Sequence, residues 1–244
     1  MKRNFLLLTV MMFTLGSVLP AAEQTVTKPF NGVNLDGWNF KGSWENCWQV
    51  GVLKADATTF ELLPLRVDEP GTLSNMVGTA WNREPRKGVD IYTEEKFGDC
   101  TVKLEFLITR GSNSGVYLMG EYEVQIQDSF AKAPDARLGQ GDMGAIYSAA
   151  APSRNASGVP GTWQTYEIEF VAPKFDREGN KIANALFKRV VLNGVLVQEN
   201  VEVEGSTGGG LTAREAATGP LMFQGNHGPV AFRNIEIILP PRQP

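Results

Sequence analysis

The chain has 244 residues and a formal net charge of −4. This length is enough to bury one sizeable hydrophobic core. The mildly acidic balance argues against nucleic acid as a partner, because binding to nucleic acid depends on lysine and arginine contacts to phosphates.

The first 22 residues have the pattern of a secretory signal peptide. Two cations precede an apolar stretch at residues 5–15, and two alanines follow near a cleavage point. The stretch is too short and too interrupted for a membrane span, and no later apolar run is long enough for one. We therefore predict a signal peptide at residues 1–22 and one exported domain at residues 23–244, periplasmic or secreted. Removal of the signal peptide changes the net charge from −4 to −6, because it takes away Lys2 and Arg3 and no acid.

The cysteines and the histidine limit the metal sites that the chain can build. Cys47 and Cys100 fit either a disulfide or two reduced, buried thiols in an exported protein. The chain has no C-x-x-C spacing and a single histidine, so a zinc site of cysteine and histidine ligands is not predicted.

Residues 101–108 show the alternation that dominates the chain. Val102, Leu104 and Phe106 fall on one face of a strand, and Lys103 and Glu105 fall on the other. A period of two residues is typical of a β-strand with one buried face.

Further short strands follow along the chain, separated by turn residues. Asn193-Gly194 predicts a tight type I′ hairpin, because both residues tolerate positive φ. The other segments with strand-like patterning are 115–119, 122–128, 166–170, 221–224 and 230–239. Many short strands without an internal repeat or a linker predict a single all-β sandwich or barrel.

The segment 121–128 is the most informative one for function. Its side chains divide into an apolar face of Tyr122, Val124 and Ile126 and a polar face of Glu121, Glu123, Gln125 and Gln127. Carboxylates and amides hydrogen-bond sugar hydroxyls in pairs, although a solvated outer face would show the same pattern. Because Lys103 and Glu105 also point to the polar side of a strand, we expect them to share one groove with Glu123 and Gln125.

Other side chains outside this strand are candidates for a site. His227, in the turn 224–229, has an ordinary pKa of about 6.5 and is a candidate base near neutral pH, although a lone histidine is usually structural. Sugar rings stack on aromatic side chains. We expect Trp48 in the core and Trp81, in a loop rich in glycine and proline, at the groove edge. Asp128 fits either a turn cap or a metal ligand.

Several motifs in a fixed order resemble the 3-keto-disaccharide hydrolase family, also described as 3-keto-glucoside 1,2-lyases and 3-keto-2-hydroxyglucal hydratases. The motifs are 48–53 (WQVGVL), 113–118 (NSGVYL), 122–126 (YEVQI), 161–163 (GTW), 192–194 (LNG) and 232–235 (FRNI). The resemblance covers about residues 30–239 and implies a concanavalin A-like jelly-roll β-sandwich of two antiparallel sheets. Loops 151–161 and 205–214 look private to this chain, so substrate preference does not transfer.

The resemblance also implies a chemistry. A ketone at C3 of a glucoside acidifies the hydrogen at C2, so a base can remove it and the group at C1 is then expelled. Rehydration completes the cleavage. By this resemblance Glu123 and His227 are candidates for proton transfer. Candidate substrate-binding residues are Lys103, Glu105, Asn113, Tyr117, Gln125 and Trp81. No cofactor is certain; a divalent metal held by carboxylates such as Glu105 or Glu123 could stabilise the oxyanion.

Three other functions fit parts of the pattern. A noncatalytic, lectin-like module on the same fold needs the polar groove but no base. A retaining glycosidase needs two carboxylates about 5–5.5 Å apart. The run Glu123-x-Gln125-x-x-Asp128 has an amide at its middle position, which disfavours that mechanism. A structural or interaction role comes third.

Overall fold

The computed structural model describes residues 24–79, 87–133 and 135–241. The regular structure of these residues consists of sixteen β-strands, and they contain no helix. In chain order the strands are β1 (Thr25–Thr27), β2 (Trp38–Lys41), β3 (Trp48–Ala55), β4 (Phe60–Leu63), β5 (Thr72–Asn75), β6 (Asp90–Phe97), β7 (Cys100–Ile108), β8 (Asn113–Leu118), β9 (Tyr122–Gln127), β10 (Gln164–Val171), β11 (Lys174–Phe175), β12 (Lys181–Ala183), β13 (Ala185–Leu192), β14 (Val195–Val203), β15 (Gly219–Phe223) and β16 (Val230–Leu239). The all-β prediction is confirmed for this part of the chain. The predicted signal peptide and Trp81 lie outside the described residues.

Two antiparallel sheets organise these strands. The nine-stranded sheet has the order β14-β13-β10-β7-β16-β5-β3-β4, with β1 also paired to β16, and the five-stranded sheet has the order β2-β6-β15-β8-β9. The short strands β11 and β12 form a separate ribbon. This layout agrees with a β-sandwich of jelly-roll type. No helix in the described ranges is long and apolar enough to cross a membrane.

A column of four aromatic rings connects the two sheets through the core. Trp38 of β2 stacks on Phe223 of β15, with ring centroids 5.6 Å apart. Phe223 stacks on Phe232 of β16 at 3.9 Å, and Phe232 stacks on Trp48 of β3 at 6.2 Å. The predicted core position of Trp48 is confirmed, and its indole nitrogen donates to the carbonyl oxygen of Val89 at 2.7 Å. The column therefore fixes one sheet against the other.

Two local predictions have clear outcomes. The turn between β13 and β14 has φ of 51° at Asn193 and 77° at Gly194, as the predicted type I′ hairpin requires. Cys47 and Cys100 are both buried and do not form a disulfide with each other. Burial raises the pKa of the Cys100 thiol to about 12, so this thiol stays protonated at neutral pH.

The aromatic column predicts a site of large stability loss. We expect Phe232→Ala to lower the free energy of unfolding by about 3–5 kcal/mol, because it leaves a cavity between two stacked rings. Ile182→Ala is the control, since Ile182 is 67% exposed. It should change the free energy of unfolding by less than about 0.5 kcal/mol. Chemical denaturation measures both, and equal losses would contradict the role of the column.

Candidate active site

The face of the five-stranded sheet that points away from the core carries a cluster of polar side chains. Tyr122, Val124 and Ile126 of β9 pack into the core. The alternation of a strand therefore turns Glu123 and Gln125 to the opposite face. Cross-strand pairing sets two residues of β8 beside them. Tyr117 lies opposite Glu123, and Gly115 lies opposite Gln125.

Residues 144–147 shield one side of this cluster. They pair with the free edge of β9: Gly144 N–H donates to the carbonyl oxygen of Gln125 at 3.0 Å, and Tyr147 N–H donates to that of Glu123 at 3.0 Å. Gln125 N–H donates in return to the carbonyl oxygen of Ala145 at 2.9 Å. These bonds satisfy the backbone of β9 on the side where it has no strand neighbour.

Residues 205–212, the glycine loop, cover the same face from above. Thr207 N–H donates to the carbonyl oxygen of Glu121, and the Thr207 hydroxyl accepts from Glu123 N–H at 3.0 Å. The side chains beneath are almost out of contact with water: Glu123 is 2% exposed and Gln125 is 4% exposed. The sequence pattern alone is compatible with a solvated polar face, but in the folded protein this face is buried.

Glu121 anchors the glycine loop. Its carboxylate accepts from the Ser206 hydroxyl at 2.6 Å, from Thr212 N–H at 2.8 Å and from the Thr212 hydroxyl at 2.7 Å. These three bonds satisfy a buried carboxylate that has no basic partner among the described residues. Glu121 shares the polar face of Glu123, but its contacts hold the loop in place.

Glu123 is a titratable group of the cluster whose pKa burial changes strongly. The pKa of the Glu123 carboxyl is raised from 4.5 to about 8, chiefly by the loss of water around it and also by the charge of Asp90. The hydroxyl of Tyr117 and the charge of Lys41 act in the opposite direction. A carboxyl with a pKa of about 8 exchanges its proton near neutral pH, as a general acid or base must.

Lys41 and Asp90 link the sheet to the glycine loop, and sequence reasoning missed both. Lys41 Nζ lies 3.4 Å from Asp90 Oδ2 and donates to the carbonyl oxygens of Gly209 at 2.6 Å and Gly210 at 3.0 Å. Asp90 Oδ1 accepts from Gly225 N–H at 3.0 Å. The two residues pair across β2 and β6, strands that the sequence patterns did not single out.

Two amide oxygens in the cluster are buried without a partner among the described residues. Gln125 Nε2 donates to the carbonyl oxygen of Gly141 at 3.3 Å, and Gln224 Nε2 donates to the Tyr117 hydroxyl at 3.4 Å. The Oε1 atoms of Gln125 and Gln224 accept no hydrogen bond there. A buried acceptor without a hydrogen bond costs free energy, so each of these oxygens can accept a hydrogen bond from a hydroxyl group of a ligand.

Gly115 makes room for the Glu123 side chain. A Cβ atom at Gly115 would lie 2.1 Å from Glu123 Oε1, closer than real contacts allow. The carboxyl group therefore occupies the space above Gly115, where any other residue would place its side chain. The position therefore requires the glycine of the NSGVYL motif for steric reasons.

The remaining candidates on or near this sheet have different surroundings. Asn113 lies on the same face and donates to Gln127 Oε1 at 2.6 Å. His227, whose Nδ1 contacts Asn226 Oδ1, lines a depression of about 490 Å³ whose lining includes Arg110 but not Glu123. Asp128 caps a turn, since its carboxylate accepts from Gly111 N–H at 2.8 Å.

The expected groove of Lys103, Glu105, Glu123 and Gln125 is wrong. Lys103 and Glu105 lie on β7, in the nine-stranded sheet, and alternate with core residues. They therefore point outward on the side of the sandwich opposite to Glu123. Lys103 pairs with Glu167 at 3.2 Å, and Glu105 pairs with Arg233 at 2.6 Å.

No described residues form a group of three or more histidine, cysteine, aspartate or glutamate side chains that could hold a metal ion. The two carboxylates considered as metal ligands, Glu105 and Glu123, lie on opposite faces of the sandwich.

The raised pKa of Glu123 predicts how stability changes with pH. Between its ordinary value of 4.5 and about 8 the folded chain keeps a proton that the unfolded chain releases, so rising pH favours unfolding. We expect the free energy of unfolding of the wild-type protein to fall relative to Glu123→Gln across this window, and the difference to be constant outside it. Chemical denaturation of both proteins between pH of about 4 and about 9 measures it. A difference independent of pH would contradict the buried, protonated carboxyl.

Three crystal structures from Parabacteroides distasonis ATCC 8503, each of a protein named "putative glycosyl hydrolase", are similar to the chain. The first is 26% identical with a TM-score of 0.56 and covers 89% of this chain and 91% of its own. The second is 18% identical with a TM-score of 0.54, covering 87% and 92%. The third is 20% identical with a TM-score of 0.53, covering 87% and 98%. The last two support the fold alone.

Among curated proteins no relative matches the chain. A family model, the 3-keto-alpha-glucoside-1,2-lyase-like domain, matches residues 25–238. This match spans nearly all of the predicted mature domain and confirms the resemblance seen in the sequence motifs. The chain belongs to the family of 3-keto-alpha-glucoside-1,2-lyase-like domains.

Proposed function

We propose that the chain is a carbohydrate-active enzyme that cleaves 3-keto-glucosides, with Glu123 as the group that moves the proton. The observation that carries the proposal is the buried Glu123 carboxyl, with a pKa of about 8, beside two amide oxygens that lack partners among the described residues. Membership of the family and the similarity to the first of the three structures support a carbohydrate-active role.

The reaction needs a base at C2 of the sugar. Ionised Glu123 takes the C2 hydrogen as a proton, and the electron pair of the C2–H bond delocalises onto the C3 oxygen as an enolate. The enolate then restores the C3 carbonyl, forms a C1=C2 double bond and breaks the bond from C1 to the leaving group. The leaving group takes up one proton from the medium, and Glu123 gives up the proton that it took from C2, so the base is ionised again. Addition of water across the double bond gives the free 3-keto sugar, so the net change is hydrolysis.

The neighbours of Glu123 supply binding and charge for these steps. The amide oxygens of Gln125 and Gln224 accept hydrogen bonds from sugar hydroxyls, which satisfies both groups. Lys41 is the cation whose charge acts on Glu123, and the same charge favours an enolate that forms close by. The Tyr117 hydroxyl lies beside Glu123 and stabilises the ionised base by a hydrogen bond, for which its single proton must leave the carbonyl oxygen of Gly208.

Access to Glu123 requires part of its cover to move, because the side chain is 2% exposed. The glycine loop contains three consecutive glycines, and its backbone carbonyls accept from Lys41 and from the Tyr117 hydroxyl. Both donors belong to the cluster around Glu123. A loop held by hydrogen bonds to the site itself opens without disturbing the core and excludes water when it closes.

His227 and export remain parts of the proposal. His227 is the second candidate for proton transfer and would act at the leaving group. The His227→Ala variant measures its contribution. The signal-peptide pattern of residues 1–22 supports export of the mature domain.

Release of the C1 leaving group from a nitrophenyl 3-keto-glucoside tests the enzyme. We expect Glu123→Gln to lower kcat/KM by about 10²–10⁴-fold, because the amide keeps the shape but takes no proton. Lys103→Gln, on the opposite face, is the control and should leave kcat/KM unchanged. His227→Ala shows whether a second group takes part, and EDTA reveals a metal requirement. Saturable binding of the 3-keto-glucoside without release would favour the lectin-like alternative.

The pH profile tests the role of Glu123 as the base. We expect kcat/KM to rise with pH through the pKa of about 8, since the ionised form is the active one. Asp90→Asn keeps the oxygen that accepts from Gly225 but removes the charge that raises the pKa. This variant should move the rise to lower pH. A profile that falls through the same region would assign Glu123 as the acid, and an unshifted rise in Asp90→Asn would contradict its assignment.

A further inference from the structure

A second cavity lies on the opposite side of the sandwich from Glu123. Its volume is about 430 Å³, and its lining includes Phe30, Pro70, Trp163, Arg233 and Asn234. This volume is in the range of small-molecule binding sites. Arg233 and Asn234 belong to β16 in the nine-stranded sheet, so the cavity shares no residue with the cluster around Glu123.

One carboxylate holds the two polar side chains of this cavity in place. Glu105 Oε2 accepts from Arg233 Nε at 2.7 Å and lies 2.6 Å from the Arg233 terminal nitrogen. Glu105 Oε1 accepts from Asn234 Nδ2 at 2.6 Å. Consecutive residues of a regular strand point to opposite faces, but β16 shifts register between Arg233 and Glu236, and Asn234 has φ of 51°. This irregularity in the strand turns both side chains to the same carboxylate.

The aromatic ring of Trp163 packs against the side chain of Arg233. The guanidinium carbon of Arg233 lies 4.0 Å from the centroid of the Trp163 ring. Trp163 packs in turn against a small apolar cluster that includes Phe60 and Leu107. We call Trp163, Arg233 and Asn234 the arginine platform. Its parts are fixed before any ligand arrives, which lowers the entropy cost of binding.

The chemistry of the lining favours an uncharged, hydroxyl-rich ligand. The Arg233 side chain is 40% exposed and keeps N–H groups that Glu105 does not use. Asn234 donates through Nδ2, which leaves its amide oxygen for a hydroxyl donor. Lys28 pairs with Glu236 at 2.8 Å, so these two charges of the lining cancel. Glu69 adds a carboxylate to the lining, which can accept from hydroxyl groups and disfavours an anionic ligand. The apolar side chains beside them suit the C–H faces of a sugar ring.

We propose that the arginine platform is a second, noncatalytic binding site for neutral saccharides. The fixed Arg233 and Asn234 bond adjacent hydroxyls, and the apolar part of the lining receives a ring face. This site does not depend on the proposed activity, because it needs neither a ketone nor a base.

Isothermal titration of the purified protein with cellotetraose and with maltotetraose tests the site. Both are uncharged and lack the C3 ketone. We expect saturable binding of at least one of them, which Arg233→Lys and Asn234→Gly each weaken about tenfold. Lysine at position 233 keeps the charge but loses the bidentate geometry of the guanidinium group. Glycine at position 234 keeps the positive φ but removes the amide. Glu123→Gln is the matched control and should bind the saccharide as the wild-type protein does.

Three results would overturn the proposal. The first is no binding of either saccharide at concentrations up to about 20 mM, which is beyond the weak end of specific binding. The second is unchanged affinity in both platform variants. The third is loss of binding in Glu123→Gln, which would move the ligand to the other sheet.

Discussion

Strand β9 is buried on both faces, and the rest of the site depends on this constraint. One face lies in the core, and the other lies under residues 144–147 and the glycine loop. A strand that is buried on both faces normally carries apolar side chains on both, but here the second face carries Glu123 and Gln125. Burial without full pairing raises the pKa of the carboxyl and leaves an amide oxygen unsatisfied. The fold thus keeps buried polar groups at an energetic cost in the candidate active site, where they can take part in a reaction.

The cover and the site share residues. Lys41 and Tyr117 influence the charge of Glu123, and both also hold carbonyl oxygens of the glycine loop. Glu121 holds the loop from the same face of the sheet. A substrate that displaces the loop therefore changes the partners of Lys41 and Tyr117 together. Entry of a ligand and the proton affinity of Glu123 are linked through these contacts.

Local patterns in the sequence were enough for strands β7 to β10 and β13 to β16, for the hairpin at Asn193 and for the faces of β7 and β9, but they missed strands such as β2 and β6. They were not enough to tell which outer face a polar side chain belongs to, because alternation says only that a residue points away from the core. Lys103 and Glu123 both do so, from different sheets. Asp90 and Lys41 reach Glu123 through pairing between β2, β6 and β15, contacts distant in sequence that no local pattern encodes. The cover could not be predicted either, since loop contacts depend on the assembled sheets.

The glycine at position 115 sets a condition on every protein that uses this arrangement. The space above it is filled by the Glu123 carboxyl, so even a single methyl group there would clash with this carboxyl and displace it. Alanine at the equivalent position would not be compatible with a carboxyl group in the place that Glu123 occupies here. Glycine at this position is therefore a marker by which family members that place a carboxyl group as Glu123 is placed can be sorted from members that share only the fold.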